Sequence, residues 1–382
     1  MTIQPFRIHI PEPALVDLRA RIKGTRWPDE VTGSGWTFGT SLSYMKTLAD
    51  YWLNTFDWRK TEDDVNRYPH CMARIDGYEV HFLHIKGAGR NSLPLMLLHG
   101  WPGSFLEMMK LIPLLSNHSG MTFDLVIPSL MGYGFSQRVT APGCGIPFMA
   151  ELFRLLMESL GYRRFGIHGG DFGSGVGTTL ALRYPENVIG LHLNNIEGYY
   201  RPFLPEGASL TLEEVQFERD SETWYDKEGG YSHQQRTKPL TLAYGLTDSP
   251  VGLCAWMMEK FYGWSDCKGD IESLFTRDEL LSHVTLYWVT GTVHSSLRLY
   301  HESRKAPLHF GKDDFVRVPV GIARFPLEDP FPPRTYIERG YNVRRWTRMP
   351  AGGHFAAMEQ PVLLAGDIAE FFGHLDDALS FG

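Results

Sequence analysis

The stretch that most limits what this chain can fold into is His168-Gly169-Gly170-Asp171-Phe172-Gly173. An apolar run, Arg164-Phe165-Gly166-Ile167, leads in, and Ser174 to Leu182 reads as a helix leading out. A short strand, a glycine-flanked bend and a helix describe a strained turn that lifts its apex side chain to the edge of a sheet. The apex residue holds an unusual backbone angle, so the residues two before and two after it must be small. Gly169 and Gly173 occupy those two places around Asp171. A carboxylate at such an apex can open an electrophilic carbon and form an ester with it. Two other readings fit the hexapeptide alone. Asp171 also suits a helix N-cap that does no chemistry. The alternation Gly173, Gly175, Gly177, with Glu197 further on, has the flavour of a nucleotide loop, although the spacing is not G-x-G-x-x-G.

The rest of the chain narrows the choice. Its 382 residues are enough for a large core with one or two appended elements. A net charge of −7 and no Lys/Arg cluster interleaved with aromatics argue against nucleic acid as a partner. The four cysteines (Cys71, Cys144, Cys254 and Cys267) are far apart and form no C-x-x-C pair. That pattern speaks against a zinc site or a disulfide framework and fits a reducing, cytoplasmic setting. The start, Met1-Thr2-Ile3-Gln4-Pro5-Phe6, does not read as a signal peptide, and no run is long and apolar enough to span a bilayer.

Read in order, Phe6 to Ile10 suggests a short strand, and Pro11 and Pro13 open a helix with Leu15, Leu18 and Ile22 on one face. Leu42, Met45, Leu48 and Trp52 make a second helical stripe. A hairpin is expected over 73–85, turning at Asp76-Gly77. Leu93 to Leu98 reads as a buried central strand, followed by His99-Gly100-Trp101-Pro102-Gly103-Ser104 and a helix from Phe105 to Leu115. Phe123 to Pro128 is the next strand, Phe148 to Leu160 a helix, and Val188 to Leu193 a strand beyond the Asp171 turn. Strands alternating with helices imply a mostly parallel sheet covered on both faces. From Glu197 to about Pro307 strand signals vanish. Ser249 and the Thr276-to-Glu279 capping box mark helix starts there, and Trp224, Tyr225, Tyr231, Trp256, Tyr262, Trp264, Tyr287, Trp288 and Tyr300 crowd the stretch. This reads as a helical lid inserted in the core. Strands return at Val316 to Phe325 and Val343 to Thr347, and Pro361 to Phe372 closes the chain as a helix. The division expected is 1–85 as an N-terminal wrapping extension with the first hairpin, 86–197 and 308–382 as core, and 198–307 as lid.

Three groups now fall in one order. Asp171 follows a central strand, Glu328 and Asp329 follow a later one, and His354 follows the last strand in a glycine turn. Nucleophile, acid, histidine is the chain order of the α/β-hydrolase fold, and that is the fold class expected. In this fold the backbone N–H after the nucleophile and one from an earlier strand-to-helix loop hold the oxyanion, which points to Phe172 and Trp101. His99 reads as structural. An esterase is disfavoured because the apex is neither Ser nor Cys.

At this point the chain resembles the epoxide hydrolase family that includes the microsomal and juvenile-hormone enzymes and their soluble microbial relatives. The resemblance rests on Phe56-Asp57-Trp58-Arg59, His99-Gly100-Trp101-Pro102-Gly103-Ser104, Gly169-Gly170-Asp171, Asp248-Ser249-Pro250-Val251-Gly252-Leu253, Tyr287-Trp288, Phe325-Pro326-x-Glu328 and Gly352-Gly353-His354-Phe355-Ala356-Ala357. It implies Asp171 as nucleophile, His354 as base and Glu328 as the histidine's partner, with Asp329 the neighbouring carboxylate. It also implies that Tyr231, in Glu228-Gly229-Gly230-Tyr231, and Tyr300, in Arg298-Leu299-Tyr300-His301, grip an epoxide oxygen from the lid. Without the resemblance nothing distinguishes these two from the other tyrosines, whose ordinary role is packing. Phe172 stands where many relatives carry Trp, a change of little consequence for a backbone donor. No counterpart of the anchor carried by the membrane-bound members is seen, so no membrane anchor is expected. The reaction implied needs no metal or organic cofactor and takes a small-molecule epoxide as partner, the aromatic lid suggests that this epoxide is bulky and apolar, and a homodimer is left open. The rival readings are a haloalkane or haloacid dehalogenase, which shares the aspartate turn and the histidine, and a catalytically silent ligand receptor on the same fold.

Overall fold

At Asp76 and Gly77 the chain turns with φ of 48° and 85°, the left-handed pair that a two-residue hairpin needs to match the twist of its strands. The turn joins β2 (His70–Ile75) to β3 (Tyr78–Ile85) in an antiparallel ladder. The coordinates are a computed structural model describing residues 2–380 except Glu197, Tyr199 and Asp329, with side chains described through Leu375. The other strands are β1 (Thr2–Phe6), β4 (Leu93–Leu98), β5 (Phe123–Pro128), β6 (Phe165–Gly169), β7 (Val188–Leu193), β8 (Val316–Arg324) and β9 (Tyr341–Arg348). Among the described residues all nine form one sheet in the order β1-β2-β3-β5-β4-β6-β7-β8-β9. Pairing is antiparallel from β1 to β5 and parallel from β5 to β9. This is the α/β-hydrolase fold.

The parallel strands are apolar on both faces because both are covered. Along β4, Met96 and Leu98 join one core cluster while Leu95 and Leu97 join the other. All four are fully buried, each side chain worth roughly 1.5–3 kcal/mol of transfer from water. The helices Ile146–Ser159 and Phe172–Arg183 pack on the first face, and Leu111–Ser116 and Pro361–Ser380 on the second.

The expected strand at Phe6 to Ile10 is displaced. The ladder runs from Thr2 to Phe6 instead, pairing Thr2 with Arg74 and Phe6 with His70. Ile8 and Ile10 are buried, but their N–H groups donate to Asn66 Oδ1 at 3.0 Å and Glu62 Oε1 at 2.6 Å. Their alternation reflects burial under the helix Trp58–Val65, not pairing. The helix expected from Phe105 to Leu115 is a 3₁₀ turn, Phe105–Lys110, followed by Leu111–Ser116. Pro113 has no N–H for the carbonyl four residues earlier, which breaks α-helical continuity there. The helix caps are as expected: Ser249 Oγ accepts from Gly252 N at 3.0 Å, and Thr276 and Glu279 form both halves of a capping box. Between β7 and β8 the named elements are all helical. Among the described residues no helix is long and apolar enough to cross a membrane.

Candidate active site

The strand ends are nearly level where they matter. Leu98 pairs with Gly169, and Gly169 with Leu193. The residues just beyond the carboxyl ends of β4, β6, β7, β8 and β9 therefore meet in one crevice, where open α/β sheets place their sites. Trp101, Asp171, Asn195, Glu328 and His354 come from those five ends.

Asp171 stands at φ 49° and ψ −130°, a conformation costing a non-glycine residue on the order of 1–3 kcal/mol. The glycines around it make room. A Cβ on Gly169 would lie 2.6 Å from the carbonyl oxygen of Gly173, and one on Gly173 would lie 2.3 Å from that of Leu98. The glycine alternation in 173–177 thus serves close packing of the helix on the sheet, since a Cβ on Gly177 would meet Leu191 at 2.9 Å.

The Asp171 carboxylate is held by its backbone surroundings. Its Oδ1 accepts from the backbone N–H of Trp101 at 2.9 Å and of Phe172 at 2.7 Å. A Cβ on Gly100 would fall 2.1 Å from that oxygen, so only glycine lets the first loop approach. The N-terminus of the helix Phe172–Arg183 adds a favourable dipole for an anion. The other oxygen, Oδ2, lies 3.5 Å from His354 Nε2. His354 Nδ1 donates to Glu328 Oε2 at 2.8 Å. Asp171, His354 and Glu328 are thus brought together in the order expected. Asp329 lies outside the described residues.

Burial alone would depress the His354 pKa. The Glu328 and Asp171 carboxylates outweigh it and hold the imidazolium well above the usual histidine value. His99 is structural, as expected: its Nε2 accepts from Leu130 N at 3.2 Å and its Nδ1 faces the Gly100 carbonyl at 3.1 Å. Burial keeps it neutral by pushing its pKa down to about 4.

A cavity of about 160 Å³ opens above Asp171 and is lined by Phe172, Trp224, Tyr225, Tyr231, Trp264, Tyr300 and His354, among others. Tyr231 is in the helix Gly230–Thr237 and Tyr300 in Val293–Ser303, and their rings lie 5.9 Å apart, nearly perpendicular. Both rings also contact Trp101, Tyr231 in parallel at 5.5 Å and Tyr300 edge-on at 5.7 Å. Two lid aromatics outside the cavity lining pack elsewhere. Tyr262 stacks on Trp36 at 3.9 Å, and Tyr287 donates from its hydroxyl to the Gly103 carbonyl at 2.6 Å.

Four further residues join the site that the motifs did not single out. Asn195 Nδ2 donates to the free oxygen of Glu328 at 2.6 Å. Ser174 Oγ donates to the Asp171 carbonyl at 2.7 Å and reaches Asn195 Oδ1 at 3.2 Å. Glu107 lines a second, small cavity of about 20 Å³ with Asp171 and His354, a size that admits one water. Burial pushes its carboxyl up to about 8, so it is largely protonated at neutral pH. Glu359 accepts from Gly353 N, Phe355 N and Asp266 N, bracketing His354. Among the described residues no set of three His, Cys, Asp or Glu side chains is placed to hold a metal ion.

The chain is similar to known proteins over nearly its whole length. Residues 3–108 match the family described as "Epoxide hydrolase N terminus", and residues 94–252 match "alpha/beta hydrolase fold". A putative epoxide hydrolase of Stigmatella aurantiaca is 40% identical over 380 residues, covering 98% of this chain and 85% of its own length. Epoxide hydrolase 1 of Sus scrofa is 38% identical, covering 98% of this chain and 89% of its own. The crystal structure of juvenile hormone epoxide hydrolase from Bombyx mori superposes with a TM-score of 0.85 at 31% identity, covering 98% of this chain and 94% of that one.

Proposed function

The chain belongs to the epoxide hydrolase family, and from that premise we propose a two-stage conversion of an apolar epoxide to a vicinal diol in which Asp171 is transiently esterified. The observation that carries this reading is the pose of one carboxylate. Asp171 Oδ1 rests on two N–H donors while Oδ2 faces His354 below the Tyr231 and Tyr300 wall.

An epoxide ring is strained, but its leaving oxygen becomes a basic alkoxide. Tyr231 and Tyr300, phenols with a reference pKa near ~10, supply the acid as charge develops on that oxygen. Oδ2 attacks the ring carbon, the carbon–oxygen bond breaks, and Oδ1 becomes the ester carbonyl oxygen already seated on Trp101 and Phe172 N–H. His354, oriented by Glu328, then takes a proton from water. The small cavity shared by Glu107, Asp171 and His354 is the place we assign to that water. Attack at the ester carbon drives charge onto Oδ1, where the two N–H groups receive it. Oδ2 leaves with the product. Residues 198–307 act as the lid over this chemistry, and the aromatic wall favours an apolar substrate. The four described thiols, all free, support a reducing, cytoplasmic setting.

A single turnover of styrene oxide in ¹⁸O-water tests the ester. The diol is expected unlabelled and the protein labelled at Asp171; label in the diol sinks the covalent route. The His354→Gln enzyme should accumulate the ester as a mass gain equal to that of the substrate.

A further inference from the structure

The chemistry above leaves one buried cation without a task. Lys260, near the end of the helix Pro250–Gly263, is 3% exposed. Burying an ammonium is costly unless it is paired. Lys260 is paired with Glu259, and the negative charge of Glu228 also bears on it. Glu259 keeps 30% of its side chain exposed, so a surface lysine could serve that ion pair equally well. What burial adds is the position of the charge. The Lys260 ammonium sits 4.4 Å from the centroid of the Tyr231 ring and 5.6 Å from that of Trp264. Both rings wall the cavity over Asp171.

We propose that Lys260 is a positioning residue for Tyr231: its ammonium fixes the phenol ring in the cavity wall and stabilises the charge the ring acquires when it acts as an acid. This rests on the role given to Tyr231 above. A cation on a ring face is attracted by the ring quadrupole. As Asp171 Oδ2 bonds to carbon, the epoxide bond's electron pair moves to oxygen, which takes the phenolic proton. The ring then carries a full negative charge beside the ammonium. The attraction is stronger at that moment than in the resting enzyme, which is the condition for accelerating a step. The proton released when the ester is hydrolysed restores the phenol. Burial pushes the Lys260 pKa below its ordinary value, and Glu259 and Glu228, which favour the charged ammonium against that burial, lie outside the cavity lining.

The test is a double-mutant cycle on single-turnover ester formation from styrene oxide, with hydrolysis of the preformed ester followed separately. Tyr231→Phe is expected to slow ester formation. Lys260→Met should slow it about thirtyfold, the size of a desolvated cation–π contact, and leave ester hydrolysis unchanged. In the Tyr231→Phe background Lys260→Met should cost nothing more, and Lys260→Arg should restore most of the rate. If Lys260→Met does not fold, Lys260→Gln is read the same way. Wild-type ester formation in the neutral variant, an equal loss in both backgrounds, or no rescue by arginine overturns the assignment of Lys260 and leaves Tyr231 standing. A Tyr231→Phe enzyme that forms the ester at full rate overturns both.

Discussion

His354 sits between two carboxylates, and that arrangement times its chemistry. In the resting enzyme burial works against the imidazolium, but Glu328 and Asp171 together hold its pKa well above the usual value. A protonated imidazole is no base. In the mechanism we propose, esterification of Asp171 removes one of the two negative charges, so the pKa falls when a neutral ring is needed. Asp171→Asn imitates that uncharged state. Its His354 ring, followed by NMR titration, is expected to titrate below wild type; an unchanged midpoint would show that Asp171 does not govern the base. Asp171 and His354 were readable from the sequence because glycines at fixed offsets mark the turns that carry them, whereas Glu328 has no such mark and was singled out beside Asp329 only by the family resemblance. Asn195 and Glu107 carry no such mark. An asparagine after a strand and a glutamate in a turn are common, and only the spatial return of β7 and of the Phe105–Lys110 turn to Asp171 gives them a part.

Between elements, the loop after β9 is tied to the lid by backbone, not by side-chain packing alone. His354 N donates to the Trp264 carbonyl at 2.9 Å, and Gly352 N to Asp266 Oδ2 at 3.1 Å. Glu359 gathers the N–H groups of Gly353, Phe355 and Asp266, each within 3.0 Å. Glu359→Ala leaves three amides without their acceptor, at roughly 1–3 kcal/mol for each that water cannot reach. The variant is expected to lose several degrees of Tm and to hydrolyse the preformed ester more slowly, while ester formation, which we assign to Asp171 and the lid tyrosines, holds its rate. An equal loss in both steps would mean the loop has no separate role. Most elements were legible from periodicity and caps, as Ser249 and Thr276 show. The misplacement of β1 has a different cause. Alternating isoleucines report burial, and here side chains of Glu62 and Asn66, more than fifty residues away, take the place of a neighbouring strand.

Over the whole molecule, buried ionisable groups give stability a slope on both sides of its optimum. Burial opposes ionisation of Asp367, but hydrogen bonds from His192, Thr347 and Arg345 prevail and hold it at about 2, against 3.8 for the free side chain. Its contribution is present above the unfolded pKa and is lost as pH falls through the folded one, roughly 2 kcal/mol in all. Glu107 works in the opposite sense. Its folded pKa is raised by burial to about 8 from 4.5, so between those values the folded state binds a proton that the unfolded state releases. Its contribution to stability therefore falls as pH rises across that window, at up to about 1.4 kcal/mol per unit. His354, raised by its carboxylates, adds to the same decline, since its contribution is complete below the unfolded histidine value and is lost as pH rises through the folded one. Urea unfolding at intervals from pH 5 to 8 separates the two. Glu107→Gln keeps the shape of the protonated acid and should flatten the decline over the whole range. His354→Gln should flatten only its upper part. If Glu107→Gln and wild type lose stability in parallel from pH 5 to 8, the carboxyl beside Asp171 is ionised in the folded enzyme. It then cannot donate a hydrogen bond to the water placed between it and His354.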